Sequence, residues 1–209
     1  MIFDRKVIII DDFYPDPYAV RQTALNAEYE DVLGIKNYPG NNSLKSFWTD
    51  ELTALVCSAT GENIEPEPSS SCGYFRYTPA TATSRQIIHF DPKPTQCWAG
   101  VAYLSLPEHC IPDAGTKIYS HKRTGISAAP KDHIDAAVIG VRTVEDMLTF
   151  FETEGVDESL WQPELTVEIK FNRVVLFRPW LWHGISKHFG TDVNNSRLTQ
   201  LIFLQPKGQ

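Results

Sequence analysis

His89-Phe90-Asp91 and, far downstream, His183 and Arg197-Leu198-Thr199 are the residues whose types and spacing could do chemistry. A His and an Asp one residue apart on an extended strand point the same way, so both can reach one metal ion. A second His from a distant strand completes three ligands on one face of an octahedron. That is the two-His-one-carboxylate set of non-haem Fe(II) sites, and it leaves three positions open. His183 follows an apolar run and an Arg178-Pro179 turn, which places it for that role. Arg197 lies fourteen residues beyond and, on a strand, shares a face with Thr199, Leu201 and Phe203. A guanidinium there can hold a carboxylate through two parallel hydrogen bonds, and a hydroxyl can add a third. Tyr103 has the same parity as Val101 in WAGVAYLSL and can point the same way. Any one of these residues alone would carry little; the ordered set carries the reading.

The elements that must position them alternate between two periods. A helix is expected from the Asp16 cap and Pro17 to about residue 29, with Val20, Ala24 and Ala27 on one face. Thr49 opens a second helix with Leu52, Leu55, Val56 and Ala59 inward, and Gly61 ends it. Thr143 and Asp146 form a capping-box-like pair for a third, with Val144, Met147, Leu148 and Phe151 inward and Gly155 closing it. Strands are expected over residues 7–10, 72–77, 86–90, 98–106, 115–119, 165–169, 173–177, 181–185 and 197–203. Residues 120–142 show no strong period and read as an insertion or lid. The pattern is mainly β with flanking helices, which suggests a double-stranded β-helix, a barrel of the jelly-roll or cupin-like type. A single domain over residues 1–209 is expected: an N-terminal strand and packing helices over 1–71, then a core over 72–205 with the insertion or lid at 120–155.

Composition narrows the function classes. The chain has 209 residues, is 42% hydrophobic and carries a net charge of −7. An acidic chain argues against non-specific nucleic-acid binding, which needs a basic surface. No run approaches the roughly 18 apolar residues of a membrane span. MIFDRKVIII lacks the long apolar core and cleavage site of a signal peptide. The four cysteines show no Cys-x-x-Cys spacing. The expectation is a cytoplasmic protein with free thiols. Its aromatic content leaves a homodimer open.

The ordered set His89-x-Asp91, His183, Arg197-x-Thr199 resembles the Fe(II)/2-oxoglutarate-dependent dioxygenase superfamily, and within it the prolyl-hydroxylase-like branch. Tyr77-Thr78-Pro79 precedes the His-x-Asp much as a Tyr-Pro segment does in that branch. Ala102-Tyr103-Leu104-Ser105 looks like its Tyr-Leu-Asn strand. Ala114-Gly115-Thr116 looks like its Gly-Gly turn, with Thr116 replacing the second glycine. Asn172-Arg173-Val174-Val175-Leu176-Phe177 resembles its approach to the distal His. The resemblance covers about residues 72–203.

The resemblance implies that His89, Asp91 and His183 bind Fe(II) and are the catalytic centre. It implies that Arg197 pairs with the distal carboxylate of 2-oxoglutarate, with Tyr103, Thr199 and Tyr77 in the cosubstrate pocket. O₂ would be the oxidant, and a small molecule, amino acid or peptide side chain would be hydroxylated with release of succinate and CO₂. Asp91 favours hydroxylation over halogenation, since halogenating members lack that carboxylate. Two competitors stay open: a jelly-roll that binds a ligand or partner without turnover, and a cupin-like metalloenzyme that uses no 2-oxoglutarate. Neither requires Arg197. Trp98, Trp180 and Trp182 are expected to pack the barrel ends. His121, His133 and His188 read as solvated loop residues. Arg76 and Arg85 could meet an anionic substrate, but a surface role is the expectation.

Overall fold

The computed structural model describes residues 5–30, 38–68, 70–84, 87–185 and 187–208. In chain order the elements are β1 (Val7–Ile10), α1 (Pro17–Leu25), β2 (Asn41–Asn42), α2 (Asp50–Thr60), β3 (Ile64–Pro66), β4 (Phe75–Thr78), β5 (Ile88–His89) and β6 (Trp98–Tyr103). They continue with β7 (Thr116–His121), α3 (His133–Val138), α4 (Val144–Thr153), β8 (Trp161–Val167), β9 (Val174–Phe177), β10 (His183–Gly184) and β11 (Arg197–Pro206).

The strands form two antiparallel sheets in a jelly-roll-like arrangement. The larger has the order β1-β9-β6-β11-β4-β2, with β3 also pairing β11, and the smaller has the order β5-β10-β7-β8. The larger sheet is buried on both faces, and residue parity sorts its side chains. Trp98, Ala102, Val174, Leu176, Leu198 and Ile202 pack with Ala24 of α1 and Val56 of α2. Ala99, Tyr103, Val175 and Phe177 face the other way and pack with Ile118 and Val167 of the smaller sheet. A third cluster, Trp161 and Trp182 with Phe150 and Phe151, seats α4 against the smaller sheet.

The caps behave as their chemistry requires. Thr49 accepts from the Leu52 amide, and Gly61 ends α2 at φ 73°. Thr143 and Asp146 complete a reciprocal capping box, worth about 1 kcal/mol for the Thr alone. Helix faces differ from expectation by part of a turn. Leu55 is 39% exposed while Val56 and Thr60 are buried; on α4, Val144 is 80% exposed and the buried pair is Phe150 and Phe151. A 3.6-residue period fixes the width of an apolar stripe but not which edge of it meets the sheet.

Other differences have local causes. The first helix stops at Leu25 because the Tyr29 backbone pairs instead with Ser43. Residues 1–71 contribute more than one strand and packing helices: beside the expected β1, which pairs β9, β2 pairs β4 and β3 pairs β11. The stretch 120–142 begins as the end of β7 and contains α3, capped by Asp132. The strand expected over 181–185 is only two residues long. That expected over 86–90 covers Ile88–His89; Gln86 lies outside the described residues, as does Arg85. No helix among the described residues is long and apolar enough to cross a membrane.

Candidate metal and anion site

Two very short strands carry the histidines. His183 of β10 is the direct antiparallel partner of His89 of β5, and their ring centroids are 4.5 Å apart. Gly184 lets β10 approach this closely, since a Cβ there would lie 2.4 Å from the Ile87 carbonyl oxygen. Asp91 lies just past β5, and its amide donates to the Pro179 carbonyl at 2.8 Å. The same turn delivers His183, so one backbone contact ties the positions of two side chains.

One ligand atom from each of His89, Asp91 and His183 falls within 4.8 Å of the others. Nε2 of His89 is 3.8 Å from the Asp91 carboxylate, and Nε2 of His183 is 3.9 Å from it. Those separations are too long for hydrogen bonds and leave room for an ion between the groups. His183 Nδ1 lies 2.8 Å from the Leu181 carbonyl. A carbonyl only accepts, so Nδ1 carries the proton and Nε2 offers its lone pair, the usual orientation of a metal-binding imidazole. Burial, reinforced by the neighbouring His183, pushes the His89 imidazole down to about 4. It is therefore neutral near pH 7, as a ligand must be. This set is the hard-and-borderline N₂O donor combination that suits Fe(II).

The three residues lie in the wall of a cavity of about 650 Å³. Arg197 lies in the same wall and is only 1% exposed. Its Nε donates to the Ala114 carbonyl at 3.2 Å, while one terminal nitrogen is buried without a hydrogen-bond partner among the described residues. A buried cation with an unused donor costs free energy unless a ligand supplies the acceptor. Tyr103 stands behind it: the Arg197 guanidinium carbon is 5.3 Å from the Tyr103 ring centroid. The Tyr103 hydroxyl meets the Thr116 hydroxyl at 2.7 Å, and Thr116 reaches the cavity. Burial raises the Tyr103 phenol and lowers the Arg197 guanidinium from their ordinary values.

The other expected pocket residues part company. Thr199 is buried on the Arg197 face, but its hydroxyl donates to the Arg76 carbonyl at 3.4 Å and does not line the cavity. Tyr77 is not brought to the cavity at all. It has the opposite parity from Arg76 on β4, packs edge-on against Tyr29 at 5.0 Å, and accepts from Asn41 at 2.9 Å.

Three residues read as surface groups are not surface groups. Arg76 lines the cavity, with Nε donating to Asn42 at 2.7 Å and its guanidinium 4.0 Å from the Tyr38 ring centroid. His188 also lines it; Nδ1 is 3.2 Å from the Ala82 carbonyl, and Nε2 is buried with no partner among the described residues. His121 is 1% exposed, stacked near Trp161 and 2.8 Å from the Glu154 carboxylate, away from the cavity. Parity places Arg76 on the face opposite Tyr77, and the pairing of β4 with β11 decides that this face meets the cavity. No local signal marks His188, because it sits on a loop whose course depends on the strands around it. His133 is exposed, as expected, but it opens α3 instead of lying in a loop. Trp98 and Trp182 are buried packing residues, as expected, whereas Trp180 is half-buried and donates to the Thr95 carbonyl.

Solved structures share this fold. One is HygX from Streptomyces hygroscopicus with nickel, 2-oxoglutarate and hygromycin B bound. It is 11% identical with a TM-score of 0.57, covering 97% of this chain and 84% of that one. Another is the non-heme alpha-ketoglutarate-dependent carbocyclase SnoK from nogalamycin biosynthesis. It is 11% identical with a TM-score of 0.52, covering 97% of this chain and 80% of that one. At such identity the likeness is one of fold. No curated protein sequence matches the chain. A family model spanning residues 3–204 does match, and the chain belongs to that family, a family of unknown function (DUF6445).

Proposed function

We propose that this protein is an Fe(II)- and 2-oxoglutarate-dependent oxygenase of the double-stranded β-helix superfamily, most simply a hydroxylase of a small molecule, amino acid or peptide side chain. The observation that carries the reading is the co-location of His89, Asp91 and His183 with the orphaned Arg197 in one cavity wall. A ligand-binding jelly-roll without turnover has no need of the triad, and a cupin-like metalloenzyme has no need of the buried arginine. HygX binds nickel and 2-oxoglutarate on the same fold, which supports the choice of cosubstrate. The free thiols of all four cysteines fit a cytoplasmic setting.

The chain's residues divide the work. His89, Asp91 and His183 would hold the ion on one face, with the Leu181 carbonyl fixing the His183 tautomer. Arg197 would take the distal carboxylate of 2-oxoglutarate, and Tyr103 would hold Arg197 and Thr116 in place. Thr199 would act at one remove, by fixing β4 against β11. Phe177, Leu201 and Phe203 line the same space and would exclude water from it. Fe(II) with 2-oxoglutarate and O₂, when bound, would supply the oxidising power for the hydroxylation, with succinate and CO₂ as the co-products.

The test is spectroscopic. Anaerobic addition of Fe(II) and 2-oxoglutarate should produce a weak visible charge-transfer band, and admission of air should yield succinate. A protein that gives neither is not a 2-oxoglutarate oxygenase.

A further inference from the structure

The cavity holds one more cation than its expected cofactors need. Among the described residues its only carboxylate is Asp91, whereas both Arg197 and Arg76 line it. With Fe(II) and 2-oxoglutarate bound, a dication, Asp91, the two carboxylates of 2-oxoglutarate and Arg197 balance to zero, and Arg76 is left over. A cation in a partly dry wall is costly without an acceptor.

Arg76 is built as an anchor rather than as a solvated surface group. Its Nε is tied to Asn42, and the Tyr38 ring covers the guanidinium at 4.0 Å. Its terminal nitrogens have no hydrogen-bond partner among the described residues, and Glu30 and Asp91 act on it only at longer range. Asn42 is itself buried, and β2 pairs β4 in register at Asn42 and Arg76, so the fork is oriented before any ligand arrives. Arg76 faces Thr199 across the β4–β11 pair while Arg197 faces Thr78. The two arginines are thus diagonal neighbours on one face, close enough that each repels the other. Two anions relieve that repulsion, and 2-oxoglutarate offers only one end to this part of the wall.

We propose that Arg76 is the substrate-anchoring residue and that the substrate carries a carboxylate, held bidentately by the Arg76 fork, on an otherwise apolar body. Phe90, Ile87, Phe151 and Leu148 provide the apolar lining for that body. Leu148 is 52% exposed and belongs to α4, so this side is the rim by which such an acid enters. A planar guanidinium with two parallel donors matches a carboxylate in shape as well as charge. The proposal rests on the oxygenase reading for its charge balance, and its test separates the two.

The full chain, loaded with nickel and saturating 2-oxoglutarate so that Arg197 is occupied and no turnover occurs, is titrated calorimetrically with benzoate, benzamide and phenyl phosphate. Benzoate is expected to bind at one site and benzamide not to bind. Arg76→Gln should weaken benzoate by about tenfold or more, the loss of one charge-assisted pair, and Arg76→Lys should recover part of that loss. Equal binding of benzamide, no binding of benzoate, or unchanged binding by Arg76→Gln overturns the proposal. Markedly tighter binding of phenyl phosphate overturns the assignment to a carboxylate. A fall in 2-oxoglutarate affinity in Arg76→Gln as large as that in Arg197→Gln assigns Arg76 to the cosubstrate and overturns it as well. Absence of the charge-transfer band counts against the oxygenase reading alone. In that event the same benzoate titration of metal-free wild type against Arg76→Gln still decides whether Arg76 is a carboxylate anchor.

Discussion

The two walls of the cavity are built in opposite ways. The wall that carries His89, Asp91 and His183 hangs on β5 and β10, two residues each, and on the turns beside them. The cation wall belongs to the larger sheet, where β11 runs ten residues and is paired on both sides by β4 and β6. Short strands can be re-aimed by their turns, which suits three side chains that converge on a point. Long doubly paired strands cannot move, which suits cations that must stay buried beside one another. The walls also differ in charge: the first is neutral or acidic, the second basic.

Breaking the first wall should have the largest effect. His183→Ala is expected to lower metal affinity beyond the roughly 10–100-fold that outer-shell changes cost, read by metal titration of the apo protein. Next is Gly184→Ala, whose Cβ would meet the Ile87 carbonyl oxygen at 2.4 Å. It should cost about 1–3 kcal/mol of stability through strain, seen in urea unfolding, and should separate His89 from His183 enough to weaken metal binding too. A variant with wild-type stability would show that the short strands tolerate spreading.

The second wall should respond with opposite signs in the two measurements. Arg197→Met removes a buried cation that has an unpaired donor. It should weaken 2-oxoglutarate by about 2 kcal/mol or more, thirtyfold in affinity. It should also raise the melting temperature of the ligand-free protein, because an apolar side chain replaces an uncompensated charge. A falling melting temperature would mean that the Ala114 bond and the Tyr103 contact already compensate the charge.

The smallest effect is expected away from both walls. Hydrogen bonds from Arg173 and Lys170 hold the Asp11 carboxyl well below its usual range. A depressed folded value means the stabilisation is present above the unfolded pKa of about 4 and is lost as pH falls below it. Asp11 is 37% exposed at its side chain, so solvent screening keeps the contribution under about 1 kcal/mol. Asp11→Asn should flatten the acid limb of the stability profile slightly and leave the ligand titrations alone.

The parts of this molecule legible in the sequence are those set by near neighbours. Caps at Thr49, Gly61 and Thr143 follow from side-chain chemistry within a few residues. The closeness of His89 and Asp91 follows from their two-residue spacing, although Asp91 lies just past β5 and is tied there by its bond to Pro179. The alignment of Arg197 with Leu201 and Phe203, which all face the cavity, follows from the two-residue repeat of a strand. The same rule, applied to β4, sets Tyr77 and Arg76 on opposite faces; the pairing with β11 turned the tyrosine away from the cavity and Arg76 towards it.

What the sequence determined by itself is the set of donors: two imidazoles, one carboxylate and one guanidinium, in an order that a double-sheet fold can bring together. Tertiary structure decided which other groups join them. Whether His188 reaches the cavity, whether His121 is buried on Glu154, and whether Leu148 or Val144 faces inward depend on loop paths and helix rotation. Those are fixed by packing between segments distant in the chain, through contacts that no local period encodes. The pairing of His183 with His89 is of the same kind, since a one-residue slip of β10 would turn His183 away from His89 and Asp91.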